Sequence, residues 1–437
     1  MAGLTIIFMG CQPLAETVSE NNLNDPVIPE TATAPPVVTS TAPDNATPAI
    51  TPTPEGLPIT LILWTVEPVS ALADGEPGDF FQSSIRSFER ANPDIEIQVL
   101  VKKAGGKGGM LDFLRNAKEA APSVLPDVAV IDAKDLSQAF NEGLVQSLNG
   151  KLDRSIVQDL LPAARRIGTV NEMLVGVPLG IQMEHTVYST LTYTDTTVLW
   201  SDILTQTNQY VFPAKGINGL VNDTTLSQYF SAGGTLVNSE GRAKIDDRIL
   251  ENVLEFYQNA VEKRIINPSV LEFSTTEELW PNYLEGTARV AQISVSQFQT
   301  DRELLRNTSF GPLPRAEASL TPVAVMHGWV LVLVVNDVRH QQAGLQLMEF
   351  FLATRQNATW NQINKSIPIR DTAYQQLAGD DPYWDFLTEQ LNTARPEPRF
   401  PEYDRVGRIL QQSVEQVLRG EATPQEAATT AKDALAQ

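Results

Sequence analysis

Cysteine occurs once in the 437 residues, at Cys11, so no internal disulfide can form. Histidine is almost as scarce, and His185, His327 and His340 lie far apart in the chain, whereas a zinc site asks for clustered ligands. The G-x-S-x-G elbow and the H-E-x-x-H pair are both missing, which removes two hydrolase signatures. Lys and Arg are absent before Arg86, and 32 basic against 53 acidic residues leave a formal charge of -21. That acidity argues against a nucleic-acid partner, because phosphate binding needs a basic surface to release counterions. Acidity also repels anionic lipid head groups and suits a neutral or cationic ligand. The glycine cluster AGGKGGM at 104–110 has neither the spacing of a nucleotide-binding motif nor the Ser or Thr that follows a P-loop lysine, and it reads as a loop. No metal, cofactor or catalytic residue is expected from these patterns.

What is present is enough for a large core. At 42% hydrophobic and 19% charged, the chain can bury two domains. Residues 1–11, MAGLTIIFMGC, place a short apolar run before Gly10-Cys11. Such a run is too short to span a bilayer and resembles a secretory signal ending in a lipobox, with Cys11 as the acylated residue. The absence of a preceding Lys or Arg and the brevity of the run depart from that pattern, and a buried N-terminal strand is the alternative. From Gln12 to Gly56 the chain is rich in Pro, Thr, Ala and acidic residues and poor in large apolar ones. That composition cannot offset chain entropy and predicts a disordered tether.

The body begins with the alternating run PITLILWTV at 58–66, expected to be a buried strand. Phe81, Ile85 and Phe88 recur at helical spacing, Asn92-Pro93-Asp94 stops that helix, and 95–101 forms the next strand, which makes a β-α-β unit. DVAVID at 127–132 is a further strand, and the helix begun by Leu136 and Phe140 ends at Gly143. The pivotal stretch is LVGVPLGIQMEHTVY, 174–188, where Gly176, Pro178 and Gly180 interrupt an apolar run that then turns polar. Glycine and proline inside an extended run mark a bend or a close backbone approach. It reads as a crossing between two lobes, with a bent edge strand as the alternative. Thr423-Pro424-x-Glu426 opens a last helix with a capping box.

The series FERANPDIEIQV, LPDVAVID, LSQAFNEGLVQSLN, VGVPLGIQMEHTVYS, LSQYFSAGGTLVNSEGRAKID, ENVLEFYQNAVEKRIINP, ELWPNYLEGTARVAQISVS, SFGPLPRAEA, HGWVLVLVVND, GLQLMEFFLA and KSIPIR resembles, in order, the family 1 extracellular solute-binding proteins of ABC importers. That group includes maltose-binding protein. No single string is diagnostic, and the resemblance covers about residues 57–437. It implies an α/β, bilobal, periplasmic-binding-protein-like (type II) fold, two doubly wound lobes joined by a multi-strand hinge. Residues 57–178 and 294–328 are expected in the first lobe, 179–293 and 329–437 in the second. Crossings are expected near Val177–Met183, Val290–Ser296 and Met326–Leu331. The resemblance further implies a monomer on the outer face of the cytoplasmic membrane, held by its lipid anchor. It would pass a mono- or oligosaccharide to the transmembrane subunits of an ABC permease.

Sugars present apolar C–H faces and rigid hydroxyls, so a binding site wants flat aromatics and carboxylates or amides. Ligands of open α/β sheets collect beyond the carboxyl ends of strands, which nominates Trp64, Glu67, Asp132 and Lys134. The expected crossings add Gln182 and Glu184, then Gln297 and Phe298, then His327 and Trp329. Core packing competes for Trp64 and Trp329, and turn formation for Asp132 and Lys134; Trp329, after Gly328, is the leading aromatic. Trp280, Tyr283, Trp200 and Trp360 read as core. Many sugar-binding members carry Gly-x-Trp where this chain has Val295-Ser296-Gln297-Phe298, so the platform is either lost or replaced by Phe298, and a non-sugar polar ligand is the alternative to a carbohydrate. A glycan-acting hydrolase, whose carboxylate pair would be invisible in sequence, and a lipoprotein presenting its ligand to a sensor kinase are the rival readings.

Overall fold

A computed structural model describes residues 58–194, 198–206 and 209–436. The signal segment expected at 1–11, its Cys11 and the tether expected over 12–56 lie outside them.

The first sheet grows from the first β-α-β unit. β1 (Ile59–Val66) and β2 (Ile95–Lys102) run parallel with an unbroken register from Ile59↔Ile95 to Val66↔Lys102. The amphipathic helix Glu76–Ala91 connects them, Pro77 in its first turn and Asn92 ending it. β3 (Val128–Asp132) pairs parallel with β1 on the other side. Alternation then buries both faces: Leu61 approaches the helix Val338–Leu352, whose Gly344 lies against the sheet, while Trp64 on the opposite face meets Phe113. Phe81 stacks on Phe351 at 5.9 Å and Phe88 meets Phe350 edge-on at 5.6 Å, which joins the two helices of one layer.

A two-stranded ribbon, β4 (Thr169–Val170) and β5 (Met173–Leu174), leads to β6 (Gly176–Pro178), the edge of the first sheet. The chain then leaves for the second sheet. There β7 (Gln182–Ser189) is central, flanked by β9 (Ala288–Ser294) on one side and by β10 (Thr308–Gly311) and β11 (Val325–His327) on the other. β8 (Gln209–Val211) extends it beyond β9. β12 (Trp329–Leu333) returns to the first sheet, inserted antiparallel between β3 and β6, and β13 (Arg395–Pro396) completes the second beside β11.

The chain therefore crosses at Leu179–Ile181 and at Gly328, and again between the helix Thr354–Ile363 and β13. The first two crossings touch: a Cβ on Gly328 would meet the Gly180 carbonyl at 2.7 Å, so glycine is required for the contact. Two buried asparagines fix the first. Asn357 and Asn361 each donate Nδ2 to the Leu179 carbonyl at 2.9 Å, Asn357 Oδ1 accepts from Ile369 N at 3.1 Å, and Ser366 Oγ donates to Asn361 Oδ1 at 2.6 Å.

Two expectations are corrected. Val290–Ser296 is not a crossing: β9 lies wholly in the second sheet, and Ser294 Oγ accepts from Gln297 N at 3.1 Å to cap the helix Val295–Asp301. A polar break after an apolar strand marks an N-cap as readily as a hinge. The lobe boundaries change with it. Residues 294–328, expected in the first lobe, supply β10 and β11 to the second sheet, and 329–333, expected in the second lobe, lie at the heart of the first. Trp200, Trp280, Tyr283 and Trp360 are buried, and Thr423 and Glu426 form the capping box, with N···Oε2 at 3.0 Å and Oγ1···N at 3.3 Å.

Candidate ligand-binding cleft

The parallel strands of the first sheet end together, and the residues just beyond them are polar. The glycine-rich loop after β2 and the turn Ala133–Asp135 after β3 face the segment Glu397–Asp404 of the second lobe across a cavity of about 970 Å³. Lys103, Asp132, Lys134 and Asp135 line the first wall; Glu397, Arg399, Phe400, Tyr403 and Asp404 line the second. Asp132 caps its turn by accepting from Lys134 N at 3.1 Å and pairs with Lys134 Nζ at 3.2 Å.

Behind the second wall lies a linked group of ionisable residues. The register His327↔Gln182 and Glu184↔Ser294 sets these four on one face of three adjacent strands. His327 Nε2 lies 2.7 Å from Asp223 Oδ2, and its Nδ1 lies 3.5 Å from Glu397 Oε2. Thr224 Oγ1 donates to Glu184 Oε2 at 3.3 Å. Asp223 and Thr224 begin the helix Asp223–Ser231, whose N-cap Asn222 accepts from Thr225 N at 2.8 Å. Glu397 thus belongs both to the cavity lining and to the ion-pair group behind it.

Burial pushes the Glu184 carboxyl up to about 8, with Asp223 adding repulsion. Burial and then Asp132 push Asp135 up to about 6. Burial alone would lower His327, but Asp223 and Glu397 hold it well above the usual histidine range. All three groups therefore carry more protons folded than unfolded. For the two carboxyls, stability falls as pH rises from the unfolded value, near 4, to the folded one; for His327 it falls as pH rises beyond about 6.5. The ligand-free protein is expected to melt at a lower temperature at pH 8 than at pH 6. Glu184→Gln, which stays neutral, should melt higher than wild type at pH 8 and level with it near pH 4.5. Differential scanning calorimetry over that range checks this, and parallel profiles for the two proteins would show that Glu184 does not carry the dependence.

Of the ten residues nominated from sequence, two line the cavity, three stand behind it and five lie away from it. Asp132 and Lys134 line the cavity, and Gln182, Glu184 and His327 form the group behind it. Trp329 is half-buried, opposite Asp132 in the register, and packs against the core of the first lobe rather than lining the cavity. Four more are corrected. Trp64 is only 4% exposed, held between Phe113 at 6.4 Å and Lys102 Nζ at 4.6 Å from its ring. Phe298 is a core ring, 5.2 Å from His185, 4.3 Å from Tyr383 and 5.6 Å from Phe310, so it offers no stacking platform. Gln297 is committed to Asp301, its Nε2 donating to Oδ2 at 2.6 Å. Glu67 is exposed in a short turn and lies outside the lining.

Asp135, Asp223, Glu397, Arg399, Tyr403 and Asp404 were not singled out. The segment Pro396–Pro401, charged and aromatic between two helices, carried the composition of a functional loop. Among the described residues, no group of three or more His, Cys, Asp or Glu is placed to hold a metal ion, and no helix is long and apolar enough to cross a membrane.

Two α/β sheets, joined by crossing segments and facing each other over a polar cleft at their strand ends, define a two-lobed ligand-binding architecture. The chain belongs to the family of bacterial extracellular solute-binding proteins, whose model matches residues 83–385. That family is one of binding proteins rather than enzymes. No curated protein matches the chain by sequence. Among solved structures, the cyclic alpha-maltosyl-1,6-maltose binding protein of Arthrobacter globiformis is similar with a TM-score of 0.70 at 18% identity, covering 86% of this chain and 98% of the other. Maltose-bound MalE3 of T. maritima gives 0.69 at 18% identity over 86% and 99%. An ABC transporter solute-binding protein of Thermotoga lettingae, bound with alpha-D-tagatose, gives 0.66 at 18% over 86% and 98%.

Proposed function

We propose that this protein captures a small carbohydrate in the cleft and delivers it to the transmembrane subunits of an ABC permease, acting as a monomer. The observation that carries the reading is the opposition of Asp132, Lys134 and Asp135 on one lobe to Glu397, Tyr403 and Asp404 on the other. Carboxylates, an ammonium and a phenol provide the directional acceptors and donors that sugar hydroxyls require, and the cavity volume suits a small ligand, for which ~300–1,000 Å³ is usual. The solved structures of the same fold with maltose and tagatose support this substrate class.

A ligand touching both walls favours the shut state by its differential affinity for it, and the permease would read that state. Only the short crossings at Leu179–Ile181 and Gly328 and the return to β13 need absorb the rotation. Acylation of Cys11 and the Pro- and Thr-rich residues 12–56 would hold the body at the outer face of the membrane, and the acidic surface keeps nucleic acid off it.

The test is calorimetric titration and thermal shift of the purified protein with neutral and acidic mono- and oligosaccharides, amino acids and polyamines, with chromatography of every ligand afterwards. A sugar recovered intact, raising the melting temperature by mass action and reducing the radius of gyration, is the expected result. Cleavage of the sugar would replace the reading with a hydrolase, and binding confined to amino acids or polyamines would remove the carbohydrate.

A further inference from the structure

The cations of the cleft have partners, with one exception. Lys134 pairs with Asp132 at 3.2 Å, Arg408 with Asp404 at 3.6 Å, and Lys103 Nζ donates to the Lys107 carbonyl at 3.2 Å. Among the described residues, Arg399 pairs with no carboxylate. Its Nη1 donates to the Ile167 carbonyl at 2.7 Å, while Nε and Nη2, the two donors along its long edge, are buried without a hydrogen-bond partner. Burial pushes the guanidinium down to about 10, and the opposing fields of Asp132 and Glu397 do not restore it. Those two carboxylates are engaged elsewhere, Asp132 with Lys134 and Glu397 with His327.

A buried cation left without hydrogen bonds on two of its donors is costly. Two parallel N–H donors on a rigid plane match the two oxygens of a carboxylate. Arg399 also occupies the segment just beyond the third crossing, between β13 and the helix Tyr403–Leu418, and lines the cavity. We infer that Arg399 is the anion-recognising residue of the cleft and that the ligand, in place of the neutral or cationic one the net charge suggests, is an acidic carbohydrate bearing a carboxylate that the free Nε–Nη2 edge receives. The fork is screened from water in this conformation, so the carboxylate meets it as residues 397–401 shift with the lobes. This places the strongest contact of the site on a segment that moves in closure.

The inference rests on the carbohydrate reading, and its test separates the two. The full chain is titrated with galacturonate against galactose, glucuronate against glucose, trigalacturonate, and glucose 6-phosphate. Uronates are expected to bind roughly 30-fold tighter than their neutral counterparts, the range of a hydrogen bond to a charged group, and to weaken as salt is added. Arg399→Gln should abolish that preference, the uronates losing about 30-fold more affinity than their neutral counterparts. Arg399→Lys, which keeps the charge and loses the fork, should restore only about a third of the lost preference; it also serves if the glutamine variant unfolds through loss of the Ile167 bond. Neutral sugars bound as tightly as uronates, or an unchanged preference in either variant, would overturn the assignment and leave the carbohydrate reading standing. Tighter binding of glucose 6-phosphate would overturn the carboxylate in favour of a phosphate. Binding of no sugar of either kind would remove the carbohydrate reading itself.

Discussion

Asn357→Leu is expected to lower folding stability by about 3 kcal/mol, because two groups lose their partner at once and one buried donor is left with none. Asn357 is fully buried; its Nδ2 holds the Leu179 carbonyl and its Oδ1 accepts from Ile369 N. Asn361 can still serve Leu179, but nothing replaces the acceptor for Ile369. Leucine is close to asparagine in shape and offers no polar atom, so the loss is one of hydrogen bonding rather than of a cavity. Ser366→Ala, which removes only the bond to Asn361 Oδ1, is the milder comparison at about 1 kcal/mol. Urea unfolding of the three proteins measures both. A leucine variant within about 0.5 kcal/mol of wild type would mean that the first crossing is held by packing alone.

Asp132→Asn should cost the ligand about 10- to 100-fold in Kd, as expected for one charge-assisted hydrogen bond lost at the cleft wall. Asparagine keeps the turn, since its side-chain oxygen can still accept from Lys134 N as Asp132 does at 3.1 Å. The melting temperature of the ligand-free variant should therefore match wild type, and the effect should reside in binding. Titration with whichever sugar binds the native chain decides it. An unchanged Kd would place the ligand outside the cavity between Asp132 and Glu397.

The parts of this fold legible in sequence were those set by local rules. Alternation in 58–66 and the stop at Asn92 specify β1, its helix and β2, because a half-buried strand and an amphipathic helix have periods of two and 3.6 that no tertiary context need supply. The break at Gly176, Pro178 and Gly180 located the first crossing for the same reason: close backbone approach leaves a glycine behind. What could not be read depends on where the chain returns. Ser294 looks alike as a hinge and as a helix cap, and the choice between them assigns 294–328 to one lobe or the other. Trp64 was nominated as an aromatic at a strand end and Phe298 as one at an expected crossing, but which rings are covered is set by Phe113 and by Tyr383, distant residues in the chain. Glu397 and Arg399 reach the cleft only through pairings of β13 with β11, a parallel contact that leaves no local signature.

The insertion of β12 between β3 and β6 has a consequence for the order in which the molecule can be made. β3 ends at Asp132 and β6 at Pro178, yet the strand that bridges them begins at Trp329. A nascent chain emerging from its N-terminus holds a half-built sheet with two unsatisfied edges through the synthesis of about 150 further residues, and pairings so distant in sequence form slowly. The first lobe thus cannot lock while the second is still being synthesised. If the chain is exported as proposed, that delay would keep it pliable for the whole of its passage.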